Sequence, residues 1–111
     1  MNNRLTVNKF HYSGLPELLG NTHALANSER LSPEDADYLH SCADSAMVSL
    51  GSLLETFGRL VEVNSHATEV HRIENETVVQ AVLDMNTIVG GLMPVLAEIM
   101  QDLKHVQKEG V

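Results

Sequence analysis

A seven-residue apolar repeat in the C-terminal third of the chain constrains the fold most. Between residues 75 and 106, apolar side chains form two stripes three positions apart, and each stripe recurs at every seventh residue. The first stripe consists of Val82, Val89, Leu96 and Leu103, and the second of Val78, Met85, Leu92, Ile99 and Val106. This period is typical of a long helix that packs along other long helices.

Two further apolar rows flank these stripes. The third row consists of Val79, Met93 and Met100, and the fourth of Ala81, Ile88 and Val95. A face this broad cannot be covered by one neighbouring helix, since a two-helix seam needs only the two central stripes. The pattern therefore predicts the central helix of a bundle, spanning about residues 76–108.

An earlier stretch repeats the pattern and begins with a strong helix-start signal. Ser32 is suited to the N-cap, Pro33 to the first helical position, and Glu34 and Asp35 to the positive end of the helix dipole. Two stripes then follow, Ala36, Ala43, Leu50 and Phe57 in one and Leu39, Ala46, Leu53 and Leu60 in the other. They predict a second long helix over residues 33–63. The pattern fails over 64–75, which we interpret as the connection of an antiparallel hairpin.

The N-terminal region is less regular. Pro16, which is tolerated in a first turn, indicates a short helix over about residues 15–27. Residues 1–13 alternate apolar and polar side chains over a very short run and are interpreted as an extended, loosely docked arm. The alternative is that this arm pairs with a neighbouring chain. Residues 14–111 are expected to form one domain, since the chain has 111 residues.

The predicted fold is all-α. It consists of an antiparallel hairpin of two long helices and a short N-terminal helix, forming a helical bundle. Three helices cover only part of the apolar faces, so we expect a second copy to complete a four-helix-type homodimer.

Composition and charge exclude several functions. The formal net charge is −8, and residues 32–102 contain twelve acidic side chains but only Arg59 and Arg72 as basic ones. Direct binding to nucleic acid or to an anionic membrane surface is therefore disfavoured. Residues 78–100 are apolar but contain Asp84 and Glu98, so we do not expect a membrane span. Cys42 is the only cysteine, which is consistent with a cytoplasmic location.

Two features invite a functional interpretation, and the first is a pair of glycines. Gly51 and Gly58 lie seven residues apart on one side of a helix, where each costs roughly 1 kcal/mol relative to Ala. Close approach of another backbone would offset this cost, and a partner-binding groove is the alternative. The predicted interface comprises Leu50, Gly51, Leu54, Phe57, Gly58, Val79, Ile88, Met93, Val95 and Met100.

Carboxylate and imidazole pairs suggest a second type of site. Asp37 and His40 are three residues apart, as are Asp102 and His105, and a hairpin places both pairs at one end. Helical bundles build metal sites from such pairs. The simpler interpretation is solvated charge at helix ends, where the dipole favours these residue types.

The sequence contains no recognisable catalytic or phosphate-binding motif. The best prediction is a small acidic protein-interaction module, such as an adaptor, a chaperone-like protein or an inhibitor, with an unidentified protein partner and no catalytic activity or cofactor. One alternative is a metal-binding or enzymatic bundle that uses Asp37, His40, Asp102 and His105. Another is an acidic inhibitor that mimics nucleic acid.

Overall fold

Two long antiparallel helices form the body of the molecule. The structure, a computed structural model, describes residues 5–9 and 14–109, and within these ranges every regular element is helical. The elements in chain order are α1 (Leu15–Leu19), α2 (Thr22–Ala26), a 3₁₀ helix (Ser28–Arg30), α3 (Pro33–Ser65) and α4 (Asn75–Glu109). Helices α3 and α4 pack against each other along a molecule of 67 × 22 × 19 Å. The all-α prediction is confirmed.

The predicted start of α3 is confirmed in atomic detail. The Ser32 hydroxyl accepts a hydrogen bond from the Asp35 backbone N–H at 3.1 Å, and Pro33 opens the helix. The helix ends at Ser65, two residues beyond the predicted end. Ser32 and Pro33 both favour this start. The capping side chain accepts a hydrogen bond from an unpaired N–H of the first turn, and proline has no N–H that would be left unpaired there.

The connection between the long helices is held by side chains that bind backbone groups. The Asn64 amide donates to the Ile73 carbonyl at 3.2 Å and accepts from the Ile73 N–H at 2.8 Å. Arg72 donates to the carbonyls of Ser65 and Ala67 at 3.3 and 2.8 Å. The end of a helix leaves backbone carbonyl groups without partners in the helix. These side-chain hydrogen bonds satisfy backbone groups in the connection and stabilise the turn.

Helix α4 runs through Pro94 without interruption. Proline removes one backbone hydrogen bond and crowds the carbonyl four residues earlier, and that position is Gly90. The apolar register on both sides of Pro94 is the same, and Val89 before it and Leu96 after it are both buried. The helix predicted over about residues 76–108 is therefore continuous at Pro94.

The N-terminal region differs from the single short helix expected over 15–27. It forms two five-residue helices that are separated at Gly20 and Asn21. The Asn21 amide donates to the carbonyls of Glu17 and Asn8, at 2.7 and 2.9 Å, and this bonding favours the break over a continued helix. The predicted arm over 1–13 is described only at residues 5–9, which have no regular secondary structure. They are docked, because the Leu5 N–H donates to the Arg30 carbonyl at 3.2 Å. Residues 5–9 and 14–31 together are called the N-terminal cap.

The hydrophobic core lies where this cap covers the hairpin. The buried cluster contains Leu18, Ala24, Leu31, Ala36, Leu39, Cys42, Ala43, Ala46, Leu96, Leu103 and Val106. Gly14 has a φ of 79°, and a Cβ there would lie 3.6 Å from the backbone nitrogen of Ala46. The cap therefore crosses α3 closely at Ala46. Beyond that point, in the part of the chain that the structure describes, the hairpin consists of two helices alone.

One stripe predicted to be buried is exposed in its second half. Leu39 and Ala46 are buried, but Leu53 and Leu60, the next members of that row, are 48% and 62% exposed. The contact between α3 and α4 passes instead to half-buried Leu50, Phe57 and Val61. The row is buried only where the cap packs over it as a third layer. Two helices that pack against each other bury the residues along their shared contact and leave the residues beside that contact exposed.

Close backbone packing does not explain Gly51 and Gly58 within a single chain. A Cβ added at either glycine would meet no atom within 4 Å. We therefore expect Gly51→Ala and Gly58→Ala each to stabilise the protein by about 1 kcal/mol, because alanine loses less backbone entropy in a helix interior. Urea unfolding at one fixed chain concentration measures this. A loss of stability in both variants would show that another backbone lies against the row.

Candidate protein interface

The most unusual surface is the part of the hairpin beyond the cap. We call residues 47–65 of α3 and 75–95 of α4 the distal half. Nine of its large aliphatic side chains are between 37% and 67% exposed, namely Val48, Leu53, Leu54, Leu60, Val63, Val79, Leu83, Ile88 and Val95. Contiguous exposed apolar surface of this kind is characteristic of a binding interface in soluble proteins.

On α3, the exposed row continues the row that the cap covers. Tyr38 and Cys42 lie beneath the cap, where Tyr38 binds Glu17 and Cys42 is buried. Steps of three or four residues lead from Cys42 along the same side of the helix to Leu53 and Leu60. This side of the hairpin is called the cap face. An open hollow of about 480 Å³ runs along it, lined by Val48, Ser49, Ser52, Leu53 and Thr56.

On α4, the corresponding row begins at Asp102, which is exposed beside the cap, and continues into the distal half. Asp102 lines a hollow of about 400 Å³ together with Ser28 and Glu29 of the cap. Val95 and Ile88 precede Asp102 by seven and fourteen residues, so they continue its row into the distal half. Both are half exposed or more. The cap therefore lies over one end of the cap face on α3 and beside the same end on α4, and the other end of this face is exposed.

The opposite side of the distal half contains a separate groove between the helices. It has a volume of about 260 Å³ and is lined by Leu54, Phe57, Gly58, Val61, Val82, Met85 and Asn86. Six of these residues offer only apolar atoms or a bare backbone, and Asn86 contributes one amide. This side is called the groove face.

The ten residues of the predicted interface occupy different places. Leu50 and Met100 are half-buried and pack against the core, and Phe57 and Met93 are also half-buried. The other six are exposed: Gly51, Leu54, Gly58, Val79, Ile88 and Val95. Gly58 and Leu54 lie on the groove face, whereas Ile88 and Val95 lie on the cap face. The prediction therefore combined residues from two sides of the hairpin.

Sequence reasoning missed Leu53 and Leu60 as surface residues because they belong to an apolar stripe. It also missed Leu83, Val48 and Val63, which lie outside the predicted apolar stripes. Leu83, Val48 and Val63 could have been predicted as exposed apolar residues, because each is an apolar residue outside the apolar stripes. For Leu53 and Leu60 the sequence contains no such signal.

The structure places the metal-site candidates apart from any cluster of ligands. Asp37 accepts a hydrogen bond from the Gln107 amide at 2.7 Å, and Asp102 and His105 line the hollow beside the 3₁₀ helix. His40 is half-buried on α3. Within residues 5–9 and 14–107, no group of three or more His, Cys, Asp or Glu side chains could hold a metal ion. The geometry adds no support for the metal hypothesis.

A buried glutamate connects the cap to α3. Glu17 is fully buried, and its carboxyl group accepts a hydrogen bond from the Tyr38 hydroxyl of α3. This bond, together with burial, raises the pKa of Tyr38 well above its usual range. Burial beneath the cap also raises the pKa of the Cys42 thiol. Lys9 adds a contact of 3.8 Å to Asp35 and lies 5.1 Å from the centre of the Tyr38 ring. These groups attach the cap to α3.

Tyr38→Phe is expected to destabilise the protein measurably, because the buried Glu17 carboxyl loses a hydrogen-bond donor. The effect should shrink above about pH 10, where an unfolded tyrosine ionises but the folded Tyr38 keeps its proton. The folded state then binds more protons than the unfolded state, and rising pH favours unfolding of the native chain. Denaturant melts at about pH 7 and about pH 10.5 measure both effects. Equal stability of the two proteins at neutral pH would contradict this role.

Helix α4 also meets the criteria for a membrane-spanning helix. By length and composition it could cross a membrane, and little of its apolar stretch is buried in the structure. Core helices of soluble proteins pass the same test, so these criteria alone are weak evidence. The acidic residues Asp84 and Glu98 within the helix remain the argument against a span.

No known protein family matches the sequence, and searches of curated proteins and of solved structures also find no match.

Proposed function

We propose that this chain is a non-catalytic protein-interaction module and that the distal half of its hairpin is the interface. A second copy covers the cap face and completes a four-helix homodimer. The observation that carries the proposal is that one face of the hairpin is covered at one end only. The cap buries Leu39 and Ala46 on α3, while Leu53, Leu60, Ile88 and Val95 are exposed further along the same face.

The size of the bare face supports a second copy as its occupant. The exposed aliphatic side chains on the cap face, among them Leu53, Leu60, Ile88 and Val95, form an apolar surface of the kind that marks an interaction site. The adjoining Ser49, Ser52 and Thr56 widen it, and a standard interface buries roughly 800 Å² per partner. Charge is sparse there. Within the distal half the two rows contain no ionisable residue, Asp102 follows the α4 row at its cap end, and Arg59, Asp84 and Glu98 lie on neighbouring rows.

A two-fold arrangement fits the shape of the hairpin. If two distal halves overlap with the connections pointing in opposite directions, each tip meets the cap of the other copy. The two caps then lie at the outer ends of a four-helix core. Such an isologous interface closes on itself and offers the same face to no third copy.

Two alternative functions are supported by the sequence alone. A metal-binding bundle would use Asp37, His40, Asp102 and His105, and elemental analysis of the purified protein tests it. An acidic inhibitor that mimics nucleic acid is supported only by the net charge of −8, and it predicts salt-sensitive binding to a basic nucleic-acid-binding protein.

Sedimentation equilibrium tests the leading proposal. Over a range of micromolar chain concentrations we expect a dimer, because the exposed apolar side chains of the cap face favour association. A monomer at high micromolar concentration would refute the homodimer, and the cap face would then be assigned to a different protein.

A further inference from the structure

The groove face remains uncovered after a second copy has covered the cap face. Its groove is lined by Leu54, Gly58 and Val61 of α3 and by Val82 and Asn86 of α4, among others. The exposed Val79 and Leu83 extend the apolar surface along α4. Gly58 has no atom within 4 Å of where a Cβ would lie, so the α3 side of the groove is open to a close approach.

The charge around this groove is one-sided. Glu55 and Glu62 lie three residues before and four residues after Gly58, so they share its side of α3. Glu76 lies on α4 near the tip end of the groove. Residues 47–95 contain six acidic residues and two arginines. Arg59 is paired with Glu55 at 2.7 Å, and Arg72 binds loop carbonyls.

We propose that this groove binds a basic amphipathic helix of a second protein. The inference rests on the proposed function and names a partner for the second face of the same module. Apolar side chains at positions i, i+3, i+4 and i+7 of the helix would fill the groove, as in other helix-in-groove complexes. Lysine or arginine residues beside them would face Glu62 and Glu76. The groove face of a second copy is a poor occupant, because it carries the same acidic residues beside its own groove.

The test uses the full-length chain and a designed, fluorescently labelled peptide with leucines at helical spacing and lysines elsewhere. Binding is followed by fluorescence anisotropy at about 0.15 M salt. Two control peptides are used: one has the same composition in scrambled order, and the other has glutamate in place of lysine. We expect the basic helical peptide to bind at least about tenfold more tightly than either control.

Variants of the protein distinguish groove binding from attraction to overall charge. Gly58→Leu fills the groove and changes no charge, so we expect a loss of affinity of at least about tenfold. Gly91→Leu is the matched control, because Gly91 is also an open helical glycine but does not line the groove. The Gly91→Leu variant should bind the basic helical peptide with the same affinity as the native chain. The double variant Glu62→Gln and Glu76→Gln should bind the peptide more weakly and with less dependence on salt.

Several results would overturn the inference: no binding of the basic helical peptide, equal binding of the scrambled peptide, or an affinity unchanged by Gly58→Leu. Dissociation of the dimer by Gly58→Leu would assign the groove to the second copy and would also overturn it. Sedimentation of the native chain reports separately on the homodimer, so failure of the groove proposal is distinguishable from failure of the proposed function.

Discussion

Replacing Leu53 and Leu60 together by aspartate is expected to convert the proposed homodimer into a folded monomer. Both side chains are about half exposed or more in the single chain, so the change leaves the covered core intact. In the dimer each aspartate would lie in an apolar contact without a partner charge. Burying an unpaired charge costs several kcal/mol, and two per chain weaken association by at least about a hundredfold.

Sedimentation equilibrium and circular dichroism together measure this result. The matched control is the double variant Val79→Asp and Leu83→Asp, which places the same charges on the groove face and should remain a dimer. If both double variants dissociate equally, the interface is not confined to the cap face. If neither dissociates, the cap face is not the dimer interface.

Leu39→Ala is expected to cause a larger loss of stability than any truncation on the exposed faces of the hairpin. Leu39 is 0% exposed and lies in the core that the cap, α3 and α4 form together. Truncation of a buried leucine typically costs about 2–5 kcal/mol, because it removes apolar burial and leaves a cavity. A domain of this size is stable by only about 5–15 kcal/mol, so the variant should be close to unfolding.

Urea unfolding at one fixed chain concentration is the appropriate measurement, since the stability of the proposed homodimer would depend on concentration. Leu19→Ala serves as the control, because Leu19 is exposed on α1 and lies outside the core and the proposed interface. Its effect should stay within about 0.5 kcal/mol. If Leu39→Ala lowers the free energy of unfolding as little as the control does, the cap does not form a packed core with α3.

Local signals in the chain specify the two long helices. Ser32 and Pro33 mark the start of α3, because capping and a fixed φ are local properties of those residues. The seven-residue repeat predicted α4 through Pro94, since the apolar register continues on both sides of it. The N-terminal break was not predictable from periodicity, because it depends on the bonds that Asn21 makes to Asn8 and Glu17.

Which apolar rows are covered depends instead on tertiary contacts. Leu39 and Leu60 belong to one stripe and look equivalent in sequence, yet the first is buried and the second is exposed. The difference is set by where the cap crosses α3, at the contact between Gly14 and Ala46, which are far apart in the chain. An apolar repeat indicates that a row favours burial, but it does not specify which segment buries it. For the same reason the assignment of Gly58 to a groove and of Leu53 to the opposite face required the packing of α3 against α4.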